Sequence, residues 1–252
     1  MFESYTVLPA FYDLLGKHPD YETIAGVICD TYQKQGAKES GLFLDLCCGT
    51  GKLLSALIDR GADVIGVDRS PEMLNVARAN CRKKKRQPLL LCQDMRDLDL
   101  YGTVDVCVCA SNSLNYLQST ADLSRVFSLI HNFLTPGGLF FFDIDSLYKF
   151  ERLYADNCYV FETGDCFCVW QNDYRPSKRE CVFLIDLFER TGEEVYRRRS
   201  EWQKQKFYSE RTVERLLRTA GFELLTKGAD YRGAPLGRDS ADLFYLAKCV
   251  KA

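Results

Sequence analysis

Apolar positions along this chain follow two rhythms, and the change from one to the other divides it. From Tyr21 to Gln35 the spacing of Ile24, Val27 and Ile28 predicts a helix that closes at Gly36. Gly41 to Leu46 (GLFLDL) is a short unbroken apolar run, the signature of a strand buried on both faces. A Cys-Cys-Gly-Thr-Gly turn and a helix over Lys52 to Arg60, closed by Gly61, come next. The unit then recurs with a strand at Asp63 to Val67 and a helix over Pro71 to Cys81, for which Ser70 is the N-cap and Pro71 the first helical residue. Strands follow at Leu89 to Cys92 and Val104 to Ala110, then a helix over Ala121 to Leu134 stopped by Thr-Pro-Gly-Gly, and a fifth strand at Leu139 to Ile144. Strands alternating with helices over this length predict a parallel sheet with helices on both faces.

After Tyr148 the period shortens to two. The runs CFCVWQ, CVFLIDLFE and EVYRRRSEW, parted by polar turns at Arg175-Pro176-Ser177 and Thr191-Gly192, predict an antiparallel meander from about Cys158 to Lys206. Helical spacing returns at Glu210 to Ala220, before strands near Phe222 to Lys227 and at Leu243 to Cys249. The expected class is α/β: a Rossmann-like, doubly wound, seven-stranded and mostly parallel sheet. Residues 1–150 and 207–252 would build it, with 151–206 as an antiparallel β insertion forming a lid on the substrate side.

Composition narrows the function more than the fold. The 252 residues are 46% hydrophobic and 27% charged, ordinary for a globular protein, and 33 basic against 35 acidic side chains leave no excess for a polyanion. The one basic run, Arg82 to Arg86, closes a predicted helix, where cations suit the negative end of the helix dipole. Twelve cysteines include neighbours on single strands (Cys107 with Cys109, Cys166 with Cys168) and no Cys-x-x-Cys pair, so neither a disulfide framework nor a zinc site is expected. Free thiols pack as small apolar groups in a reducing compartment. The amino terminus lacks the pattern of a signal peptide and no apolar run has membrane-spanning length, so the expectation is a cytoplasmic protein with no membrane and no nucleic-acid partner.

Candidate chemistry gathers at the carboxyl ends of the predicted strands, where open parallel sheets bind ligands. Gly49 and Gly51 in Asp45-Leu46-Cys47-Cys48-Gly49-Thr50-Gly51 allow a tight turn and close backbone approach. Asp68 stands 23 positions after Asp45, the separation of a βαβ unit, and a carboxylate there can accept both hydroxyls of a ribose. Asp94-Met95 closes strand three, where the acid can accept an adenine amino group and the thioether can lie on a purine face. Ser111 to Tyr116 (SNSLNY) follows strand four with small polar groups beside the reacting atom. A nicotinamide fingerprint fails because Leu54 stands where a small residue is required, and a P-loop fails because Leu53 follows Lys52. Of the two histidines, His131 lies in an apolar helix and His18 in a loop.

In their order and spacing the strings LDLCCGTG, GVDRS, QDM and LTPGGLFFFD, from about Phe43 to Asp143, resemble class I S-adenosylmethionine-dependent methyltransferases. The resemblance implies that S-adenosylmethionine is the cofactor and that backbone around Leu46, Cys47 and Gly49 holds its methionine part. Asp68 would take the ribose hydroxyls, Arg69 and Met73 would border the adenine, and Asp94 with Met95 would hold its edge. Tyr12, in Phe11-Tyr12-Asp13, would lie over the cofactor; Asp45, Gly51 and Ser111 complete the candidate set. Asn112 and Tyr116 would position a methyl acceptor, expected to be a small molecule, with Trp170, Tyr174 and Arg199 as candidate contacts from the insertion. Two departures stand out: Cys47 replaces the family's first glycine, and Asn112 stands where relatives carry an aspartate. A non-catalytic S-adenosylmethionine-binding protein and, less favoured, an NAD-dependent oxidoreductase are the alternatives.

Overall fold

The computed structural model describes residues 8–13, 19–35 and 41–251; Gly36 and His18 lie outside them. Seven strands, β1 (Leu42–Leu46), β2 (Asp63–Asp68), β3 (Leu89–Cys92), β4 (Val104–Cys109), β5 (Leu134–Asp145), β10 (Phe222–Gly228) and β11 (Asp242–Cys249), form one sheet in the order β10-β11-β5-β4-β1-β2-β3. Neighbours from β3 to β5 pair parallel, and β11 runs antiparallel to both β5 and β10. The order reverses between β1 and β4, which leaves a crevice beyond their carboxyl ends.

Why central strands read as continuous apolar runs is visible in the partition of their side chains. Leu44, Cys107, Cys109, Phe140 and Phe142 enter one core, under α5 (Thr120–Phe133) and α6 (Glu210–Thr219). The alternate residues Phe43, Val106, Val108, Leu139 and Phe141 enter the other, under α2 (Tyr21–Lys34), α3 (Lys52–Asp59) and α4 (Pro71–Cys81). With water excluded from both faces, alternation has no polar side to mark. Helix starts are fixed locally: Ser70, Ser119 and Ser209 each accept a backbone N–H in the first turn of α4, α5 and α6.

The chain leaves this sheet after β5 through a π-helical turn (Lys149–Tyr154) and builds a second, antiparallel sheet. Its strands β6 (Cys158–Thr163), β7 (Cys166–Arg175), β8 (Glu180–Arg190) and β9 (Tyr196–Lys206) lie in sequence order. Cys168, Phe183, Ile185 and Leu187 bury one face against Leu8 and Phe150. The short helix α1 (Pro9–Tyr12), which periodicity did not reveal, follows Leu8. β5 also starts earlier than expected, because Leu134 already pairs with Val104 before a register shift. All twelve cysteines are free thiols; Cys92 and Cys158 are exposed and the other ten are buried or half-buried.

Candidate functional site

A cleft of about 770 Å³ opens at the carboxyl ends of β1 to β4, a volume suited to a small ligand. Of the residues expected there, Asp45, Cys47, Gly49, Asp68, Arg69 and Met73 line it. Asp94, Met95, Ser111, Tyr116 and Tyr12 do so as well. Leu46, Gly51 and Asn112 do not line it.

The loop after β1 explains much of this. Cys47, Gly49 and Gly51 take φ of 63°, 53° and 75°, so Cys47 holds the left-handed conformation although it is not glycine. Gly51 serves packing: a Cβ there would lie 2.9 Å from the Cβ of Ala77, so its bareness seats α3 against α4. Asp68 ties the loop down, accepting the Gly49 N–H and the Ser70 N–H at 2.9 Å each. Burial raises its carboxyl above the ordinary range despite these bonds. Asp45 is buried too, and its Oδ2 has no hydrogen-bond partner among the described residues. Burial, with the charge of Asp68 nearby, pushes its carboxyl up to about 7.

Beyond β3 the geometry differs from expectation in one respect. Asp94 accepts the Arg96 backbone N–H and, from its guanidinium, Nε at 2.9 Å and Nη2 at 2.6 Å. The hydrogen bonds from the Arg96 side chain hold its carboxyl below the usual value. The acid thus carries its own cation, Arg96, which also lines the cleft and which sequence reasoning missed.

At the end of β4, Ser111 and Asn112 are consecutive left-handed residues with φ of 60° and 58°. Buried Asp143 accepts both of their backbone N–H groups and the Tyr231 hydroxyl, the last at 2.9 Å. Burial pushes Asp143 up to about 7. This clamp turns Ser111 toward Tyr21 (Oγ to hydroxyl, 3.3 Å) and sends the Asn112 side chain elsewhere, its Nδ2 donating to Asp242 at 2.8 Å. Lys149 spans Asp242 and fully buried Asp145 at 2.8 and 2.7 Å, so Asn112 belongs to a clasp at the root of the second sheet.

Tyr116 closes the wall of the cleft toward the second sheet, its hydroxyl donating to Gln203 Oε1 of β9 at 2.6 Å. On the opposite side Asp13 accepts Thr50 Oγ1 at 2.8 Å and meets Lys52 at 3.4 Å, which anchors neighbouring Tyr12 at the cleft beside the loop after β1. The insertion contacts expected from sequence stand elsewhere. Trp170 and Tyr174 pack edge-on or tilted against Phe183 and Phe150, and Arg199 pairs with Glu189 at the surface. Lys204 is the residue of the second sheet that lines the cleft. Within the basic run, Lys84 and Arg86 pair with Asp59 and Asp63, and His131 packs edge-on against Phe222. Among the described residues no cluster of His, Cys, Asp or Glu could hold a metal ion, and no helix is long and apolar enough to cross a membrane.

A sheet with this strand order and a cleft walled by strand-end acids define a Rossmann-like protein that takes a nucleoside-type cofactor. Comparison with known proteins names the class. A methyltransferase-domain family model matches residues 43–138. The chain is 30% identical over 249 residues to the Bacillus subtilis (strain 168) protein named Putative methyltransferase YqeM, covering 98% of each. It superposes on an S-adenosylmethionine-dependent methyltransferase from Clostridium acetobutylicum ATCC 824 with a TM-score of 0.87, 28% identity and coverage of 99% and 100%. Over 130 residues, 51% of this chain and 53% of the other, it is 33% identical to dTDP-3-amino-3,4,6-trideoxy-alpha-D-glucopyranose N,N-dimethyltransferase of Streptomyces venezuelae. The chain belongs to the S-adenosylmethionine-dependent methyltransferases, and the oxidoreductase alternative falls away.

Proposed function

We propose that the protein transfers a methyl group from S-adenosylmethionine to the nitrogen of a small amine. The observation that carries this reading is the division of charge along the cleft. Its carboxylates, Asp45, Asp68, Glu72 and Asp94, lie at or just beyond the carboxyl ends of β1 to β3. The other end is lined by Tyr12, Tyr21, Ser111, Ser113, Tyr116 and Gln118, with Lys204 at its edge. A hydroxyl acceptor needs a base in reach, whereas a free amine brings its own lone pair. That Asn112 replaces the family's aspartate, and faces Asp242, fits the same reading.

The cofactor supplies a methyl on a positively charged sulfur. Around it, Asp68 would accept the ribose hydroxyls, and Met73, Arg69 and Met95 would border the adenine. Unpartnered Asp45 Oδ2 suits the amino group of the methionine part, and the open space at Gly49, where a Cβ would meet only Met73 Sδ at 4.0 Å, suits close approach. Ser111, Tyr116 and Tyr12 would align the acceptor, and residues 151–206 would cover it as a lid. The new C–N bond forms as the C–S bond breaks, S-adenosylhomocysteine leaves, and the product ammonium gives its proton to solvent. The amino-sugar activity in the Streptomyces relative's name supports this choice of acceptor class.

The test is transfer of tritiated methyl to matched pairs, amino sugars such as glucosamine against their hydroxyl counterparts such as glucose, together with simple primary amines and alcohols. Label should enter the amines alone, with a rate that rises with pH as the amine itself deprotonates. Label on the alcohols would overturn the assignment.

A further inference from the structure

The inner face of β9 carries Glu201, Gln203 and Gln205, all buried, where the strand beside it, β8, presents Ile185, Phe183 and Cys181. Burying such groups is costly unless they find partners; Gln205 Oε1 has none among the described residues, whereas Glu201 and Gln203 do, and those partners are informative. Glu201 accepts from Leu8 N on Oε2 at 3.1 Å and from Gln203 Nε2 on Oε1 at 2.7 Å. Gln203 then turns its oxygen to Tyr116, whose hydroxyl donates to it at 2.6 Å.

Each link fixes the direction of the next. A carboxylate only accepts, so the amide must give it the NH₂ end. The amide oxygen is left facing the phenol, and the phenol must donate to it. A phenol has one proton, so any ligand atom meeting the Tyr116 oxygen from the cleft must itself be a donor. The wall cannot swing to relax this, because Gln118 donates to the carbonyls of Tyr116 and Lys204 at 2.8 and 3.0 Å and Asn115 donates to that of Lys206 at 2.8 Å.

We infer that Glu201 and Gln203 are positioning residues that make Tyr116 a one-way hydrogen-bond acceptor toward the cleft, selecting an acceptor molecule whose nucleophile itself carries a hydrogen, an N–H where that nucleophile is an amine. This rests on the amine reading above and adds to it the atom that holds the amine. The N–H directed at Tyr116 leaves the nitrogen lone pair to another direction, free for the methyl.

Neutron diffraction from crystals of the S-adenosylhomocysteine complex in heavy water tests the polarity on the unaltered protein. The Tyr116 deuteron should lie on the line to Gln203; a deuteron aimed into the cleft overturns the inference. Two probes then read the consequence by NMR titration of the same complex: propylammonium, which only donates, and trimethylamine N-oxide, which only accepts. The unaltered protein should prefer propylammonium. Gln203→Met, which keeps charge and approximate shape, should shrink that preference about fivefold or more, the worth of one hydrogen bond, with S-adenosylhomocysteine affinity unchanged. Equal binding of both probes to the unaltered protein, or an unmoved preference in the variant, overturns the inference. If the deuteron sits as stated and no amine accepts label, the amine reading fails while the polarity stands.

Discussion

The two ends of the cleft solve different physical problems. The end formed by β1 to β3 concentrates charge: three buried or half-buried aspartates meet backbone N–H groups, Arg96 and one vacant direction at Asp45. The end formed by the β4 loop and β9 concentrates direction: Tyr116, Gln203, Asn115 and Gln118 are neutral groups locked by one another. In the function proposed above, a charged, floppy cofactor would be gripped by field strength, while a small acceptor would be sorted by which way hydrogens point.

The sharpest way to break this contrast is at Asp68. Asp68→Ala removes the anchor of Gly49 and the proposed ribose acceptor together, and should weaken S-adenosylhomocysteine binding by about 1.5–3 kcal/mol in calorimetry. Unchanged affinity in a folded variant would move the ribose site elsewhere.

Next comes pH. Asp45 and Asp143 bind protons more tightly folded than unfolded, since burial lifts each from 3.8 to about 7. The stability they lend is therefore complete below about pH 4 and is lost as pH rises from there through about 7. Thermal melts of the cofactor-free protein should show that decline, and Asp45→Asn should remove its share, up to about 4 kcal/mol across that span. A slope that stays the same in the variant would mean Asp45 is not the group titrating.

At Cys47 the left-handed backbone should make Cys47→Val less stable than Cys47→Gly by about 1–2 kcal/mol, because a branched Cβ crowds the carbonyl at positive φ. The smallest effect belongs to the outside of the second sheet. Arg199→Ala breaks an exposed pair and should change stability by less than about 0.5 kcal/mol and methyl transfer not at all.

The same contrast decides what was legible in the sequence. The charged end is written locally: Asp45 to Gly51 is one strand end and the turn that follows it, and Asp68 bonds Ser70 two residues on and Gly49 nineteen back. Spacing alone could place those groups together. The directional end is assembled across the chain, with Tyr116 meeting a partner 87 residues away, Asn112 one 130 away and Leu8 one 193 away. No local pattern reports such pairings, and so Trp170 and Tyr174 read as candidate contacts although they fill the insertion's core, while Gln203 passed unnoticed. Asp143 shows the limit from another side: it ends a recognisable string, yet its grip on Ser111 and Asn112 needs the β4–β5 register to be seen. The sheet itself was readable because doubly buried strands leave unbroken apolar runs, and the second sheet because one of its faces is wet.

Two thiols out of twelve are exposed, and they fall one to each region: Cys92 ends β3 beside the charged end, and Cys158 begins β6, while half-buried Cys47 lines the cleft. At buried positions desolvation suppresses the thiolate, as at Cys168 and Cys181, whose thiols it pushes up to about 12. The unmodified polypeptide is thereby furnished with a pair of native attachment points for fluorophores or spin labels. Any movement of residues 151–206 against the first sheet would be read as a changing separation between the two dyes without engineering a single cysteine.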